Sequence, residues 1–110
     1  MIKNTLTKIE DKIRTVNSIT AENKTELLHL LATLAEEVEE LSKTERERAE
    51  SITGFAQIST HEATRQEKDQ QLLKLSLAGL ASSVREFETS HPRLAETVNS
   101  FCQVLSNMGI

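Results

Sequence analysis

The chain has 110 residues, enough for one domain with a modest core, and a formal net charge of −4. With no Trp, no Tyr, three Phe and one Cys, it lacks the stacking platforms of single-strand nucleic-acid binders and the cysteine framework of small secreted domains. Charge is unevenly spread. Residues 1–20 carry four bases against two acids, residues 21–50 four against nine, and residues 51–110 five against six. No basic block can neutralise a run of phosphates, so nucleic acid is not an expected partner.

The dominant signal is an apolar residue recurring at alternating steps of four and three. It appears in four runs: Ile2-Leu6-Ile9-Ile13-Val16, Leu27-Leu31-Leu34-Val38-Leu41, Leu73-Leu77-Leu80-Val84-Phe87 and Leu94-Val98-Phe101-Leu105-Met108. This is the seam of a helix that packs on other helices. One Pro and three Gly leave room for long helices.

The first helix is predicted over about Asn4 to Val16, closed by the turn-favouring pair Asn17-Ser18. Thr20 is a good N-cap for the second, with Glu22 in its first turn and Ile19 placed as a hydrophobic staple. The seam from Leu27 extends without slipping onto Glu45, Arg48, Ile52 and Phe55. That favours one long helix, although Thr44 and Glu47 also read as a capping box that would begin a new one. The register is lost between Gly54 and Thr60, which predicts a turn there, and Ser59 with Glu62 is a second capping box to open the third helix. That helix is predicted to end near Glu88. His91 precedes Pro92 and so marks a boundary, and Pro92 suits the first turn of the last helix. Asn107 and Gly109 offer its stop.

Short, long, long, short is the expected order. The fold class is all-α: an antiparallel four-helix bundle with coiled-coil-like packing, formed by residues 1–41 and 72–110 of a single helical domain. Residues 42–71 are expected to project as a helical hairpin arm about 22 Å long. Ile52, Phe55 and Ile58 near its tip would be poorly covered by one hairpin. They predict a homodimer, with Glu45 and Arg48 setting register by cross-pairing.

Little sequence is left for chemistry. Glu26/His29 and Glu88/His91 match the Glu-x-x-His spacing of di-iron bundles. Yet Leu27 and Leu31 on the seam turn His29 outward, and His91 lies in a linker. Neither a metal nor a cofactor is therefore expected. Glu36-Glu37-Val38-Glu39-Glu40 reads as a solvated face that pairs with Lys43 and Arg46. Cys102 sits beside the last seam with no base suggested nearby, as a small, partly buried hydrophobe rather than a nucleophile. No glycine-rich phosphate loop, paired Cys or supported Ser-His-Asp order occurs, so no enzyme activity is expected. The longest apolar stretch, Leu27 to Ala35, is too short and too interrupted to span a membrane. The polar helix faces are too acidic to lie on one. With a lone Cys and an opening that runs straight into a heptad, a cytoplasmic protein is expected.

The segment Phe87-Glu88-Thr89-Ser90-His91-Pro92-Arg93-Leu94, followed by Val104-Leu105-Ser106-Asn107-Met108-Gly109-Ile110, resembles the ending of short bacterial helical proteins of the domain-of-unknown-function 4404 family. The resemblance covers the last quarter of the chain, with the middle departing from it. It implies a bacterial, all-helical protein and no particular activity. Function is thus expected to lie in protein–protein contacts, chiefly self-association. An adaptor binding another protein through the arm or the acidic face of the second helix is the alternative, and a metal-binding bundle enzyme a remote one.

Overall fold

The computed structural model describes residues 1–108. They form five α-helices: α1 (Ile2–Thr15), α2 (Ala21–Ser42), α3 (Arg46–Thr64), α4 (Gln70–Val84) and α5 (Pro92–Met108), with a single 3-10 turn at Arg85–Phe87 between the last two. No strand occurs among the described residues. The terminal stop and fold-back expected of Gly109 and Ile110 lie outside them.

All four seams are used. Ile2, Leu6, Ile9 and Ile13 of α1, the whole α2 run, Leu73, Leu80, Val84 and Phe87, and Leu94, Val98, Phe101 and Leu105 of α5 enter one buried cluster. Val16, Leu77 and Met108 close its edges half-buried. Local chemistry sets the helix starts. The Thr20 side chain accepts from the Asn23 amide at 3.1 Å, with Ile19 buried beside it. Asp69 Oδ1 accepts from the amides of Gln71 and Leu72 at 3.0 and 3.1 Å.

The middle of the chain differs from the expectation. Residues 42–71 do not project as an arm. α2 stops at Ser42, three residues turn the chain, and α3 packs against α1, α2, α4 and α5. The turn predicted within Phe55 to Thr60 is absent. α3 runs through it to Thr64 and the break falls at residues 65–69. The overall extents are 37 × 24 × 22 Å. A 22-residue α2 is itself about 33 Å long, so nothing is left over for an arm.

The physical reason is the composition of the buried face of α3. Ala49, Ile52, Thr53, Ala56, Ser59, Thr60, Ala63 and Thr64 are all buried. Small side chains let four helices approach one axis closely. Three of the hydroxyls satisfy themselves on the helix backbone: Thr53 on Ala49 O at 3.2 Å, Thr60 on Ala56 O at 2.8 Å and Thr64 on Thr60 O at 2.7 Å. The seam through Glu45, Arg48 and Phe55 thus points elsewhere, and only its Ile52 reaches the core. The capping box expected at Thr44 does not form: Glu45 holds the N-cap position with no side-chain bond, and the Thr44 hydroxyl donates to Leu41 O at 3.4 Å.

Directions follow from named contacts. Phe55 of α3 lies on Gly79 of α4, and Arg48 pairs with Glu86 just beyond α4 at 3.1 Å. Stepping seven residues back along α3 steps seven forward along α4, so the two run antiparallel. The third predicted helix also ends sooner than expected, at Val84. The tighter 3-10 turn lets Phe87 enter the core, and His91 N donates to Phe87 O at 2.7 Å before Pro92 opens α5.

Candidate interaction surface

The five residues expected to make contacts are dispersed by the structure. Glu45 is exposed at the start of α3. Arg48 is committed to Glu86 of its own chain. Ile52 is 0 % exposed and cannot touch a partner, because α3 turns that face into the core. Phe55 and Ile58 remain at the surface, 37 % and 51 % exposed. They stay together because positions three apart share a helix face.

Two residues that the seam pattern passed over join them. Leu72 and Leu75 of α4 are 43 % and 60 % exposed. The antiparallel register that sets Phe55 on Gly79 places Leu75, one turn before Gly79, alongside Ile58, one turn after Phe55. An apolar patch thus spans the two helices. The glycine at its centre is what lets an edge of the Phe55 ring come this close to α4. Its rim is nearly uncharged: α4 carries one charged residue, Lys74, in 15. That paucity of charge was the available sequence signal. Leu73, Leu77 and Leu80 already supplied a complete seam, which left Leu72 and Leu75 as a second apolar face on the same helix.

In the acidic run, Glu40 accepts from Lys43 Nζ at 2.9 Å. That hydrogen bond and charge hold the Glu40 carboxyl below its usual range and raise Lys43. Arg46 pairs with Glu50 at 3.6 Å rather than with the acidic run. Burial pushes the Cys102 thiol up to about 11, opposite to what a nucleophile needs. His29 stands exposed in a shallow hollow with Glu22 and Glu26. His91 Nδ1 lies 3.0 Å from Ser90 Oγ, and the ring meets Phe87 edge-on at 5.5 Å. No three His, Cys, Asp or Glu among the described residues converge to hold a metal. No helix among them is long and apolar enough to cross a membrane.

These features define a small all-helical protein with an exposed apolar patch on α3 and α4. The chain belongs to the family described as Domain of unknown function (DUF4404), whose model matches residues 27–110. The match extends well beyond the last quarter, spanning α3 and leaving out α1. Comparison with curated proteins and with solved structures returns no match.

Proposed function

We propose that the chain is an interaction module that self-associates through the outer face of α3 and α4, pairing two copies into a homodimer. The observation that carries this reading is α4 itself. Besides the core face that it packs on α3 and α5, α4 presents Leu72 and Leu75 to solvent beside Lys74, and large apolar side chains grouped at a surface mark an interaction site. Leu73, Ser76, Leu80 and Val84 are buried, while Leu72 and Leu75 face outward. A second copy placing the same patch on this one would bury Phe55, Ile58, Leu72 and Leu75 twice over, as a two-fold contact does. The reading assigns the chain no catalytic role. It suits a bacterial cytoplasmic protein, where the lone Cys102 stays reduced.

The test is sedimentation equilibrium of the wild type beside Leu75→Glu and Ile58→Glu. Both positions are half-exposed, so a charge there is tolerated in a monomer and costly in a contact. A dimeric wild type and monomeric, still helical variants support the proposal. A monomeric wild type removes self-association and leaves the same face to a different protein chain.

A further inference from the structure

Beyond that face lies a cleft of about 150 Å³ between α1 and α3. Lys8, Ile9 and Lys12 line it from α1, and Gln57, Thr60 and His61 from α3. Lys8 and Lys12 are one helical turn apart, as are Gln57 and His61, so two rows of polar side chains face each other across it. Buried Ile9 and Thr60 make the floor, and Lys8, Lys12 and His61 stand exposed at the rim. The Thr60 hydroxyl already donates to Ala56 O at 2.8 Å, which leaves the donors to the rim.

No carboxylate lines the cleft. The neighbouring acids are engaged elsewhere: Glu10 with Arg14 at 2.9 Å and Glu62 with Arg65 at 3.0 Å. Glu62 also comes within 4.0 Å of His61 Nε2, and Asp11 is exposed outside the lining. Among the described residues neither Lys8 nor Lys12 has an ion pair, as is true also of Lys3, Lys24, Lys68, Lys74, Arg85 and Arg93; what sets Lys8 and Lys12 apart is that both line one cleft. Two like charges one turn apart repel, and the acid nearest them on α1 is Asp11, exposed beside Lys12 and one turn from Lys8. In a protein of net charge −4 the cleft lining carries two lysines, a histidine and no acid.

We propose that this cleft binds a phosphate-bearing ligand. The Lys8 and Lys12 ammonium groups and the His61 ring contact phosphate oxygens, and the Gln57 amide donates beside them. A tetrahedral oxyanion with two or more negative charges matches donors that converge from two sides. Lysine serves such a ligand as a point charge. The required chemistry is the phosphate group, whether it arrives as an inorganic ion or on a nucleotide. Half of the site comes from α1, outside the region matched by the family model, so the site belongs to this chain's own N-terminal helix.

The experiment is a ¹H–¹⁵N titration of the full chain with pyrophosphate and, separately, with a nucleoside diphosphate, at constant ionic strength. The expected result is saturable movement of the Lys8, Lys12, Gln57 and His61 resonances. Equal half-saturation for the two probes identifies the phosphates as the whole ligand. Tighter binding of the nucleotide identifies a nucleotide. In Lys8→Gln/Lys12→Gln, which keeps good helix formers at exposed positions, half-saturation should rise roughly tenfold with the circular dichroism unchanged. Absence of saturation, movement spread equally over Lys3 and Lys74, or half-saturation unchanged in the double variant would overturn the proposal.

Discussion

The ring of Phe55 on α3 rests on Gly79 of α4, so closely that a Cβ added to the glycine would stand 2.6 Å from Cδ1 and 3.0 Å from Cζ. Gly54, by contrast, lies inside α3 with nothing within 4 Å of such a Cβ. The two glycines pay the same helix penalty and stand in opposite surroundings. Gly54→Ala should raise stability by about 0.5–1 kcal/mol. Gly79→Ala makes the same backbone gain but pushes the Phe55 ring off α4, and should fall about 1–2 kcal/mol below Gly54→Ala. In a Phe55→Ala background the ring is gone, and Gly79→Ala should become stabilising. Urea midpoints at one fixed protein concentration decide the matter. Equal midpoints for the two single variants would show that the ring does not depend on the glycine.

Ser59 supplies a second contrast within α3. Thr53, Thr60 and Thr64 each return a hydroxyl to the helix backbone, yet Ser59 Oγ is buried with no partner. A buried hydroxyl without a hydrogen bond costs about 1–3 kcal/mol. Ser59→Ala removes that cost, keeps the small volume that the close helix approach requires, and improves helix propensity. The variant should be more stable by about 1 kcal/mol. Thr60→Ala loses a satisfied bond and a packed methyl, and should be destabilised. Chemical denaturation of the two variants gives shifts of opposite sign if the buried hydroxyls differ as described.

That face of α3 also explains why part of the fold was hidden in the sequence. Leu27, Leu31, Leu34, Val38 and Leu41 announce a helix because each is large and apolar, and the same holds for the seams of α1, α4 and α5. The buried face of α3 consists of Ala, Ser and Thr with Ile52 as its one large apolar member and Glu62 at its margin. It is silent on any scale that reads hydrophobicity. The louder register through Phe55 suggested instead one long helix and an arm. No Pro or Gly marks the turn at residues 43–45; close packing of small side chains holds α3 back against the bundle. For the interaction surface, Phe55 and Ile58 were legible as large apolar residues near the tip of the expected arm, Phe55 on the extension of the Leu27 seam. Leu72 and Leu75 were not, because their exposure follows from where α3 lies against α4. The cleft beside α1 required the same tertiary fact.

The start of α4 rests on Asp69, whose carboxylate accepts two otherwise orphaned backbone amides. Asp69→Ala should cost about 1 kcal/mol, and Asp69→Asn considerably less, since Asn caps almost as well. The loss would fray the first turn and release Leu72 and Leu75 from their fixed place. On the proposed self-association through this face, Asp69→Ala should therefore weaken pairing along with the fall in stability. Sedimentation and thermal melts on the same samples test the pairing of the two effects. A destabilised variant with unchanged self-association would separate the cap from the contact face.

Cys102 lies half-buried on α5 with its Sγ 4.0 Å from Leu77 O. Removal from water raises its pKa from 9.0 to about 11. Between those values the folded protein keeps a proton that the unfolded chain has released. The unfolded state binds fewer protons there, so the free energy of unfolding falls as pH rises from about 9 to about 11. Lysines titrate nearby, so the informative quantity is the difference between wild type and Cys102→Ala. Below pH 9 that difference should be flat. Above it the wild type should lose stability relative to the variant. A thiol reagent at pH 8 should label the folded protein far more slowly than the chain in urea, because thiolate is scarce and access is narrow. Rapid labelling of the folded protein, or a stability difference that does not change with pH, would place the thiol in water rather than against α4.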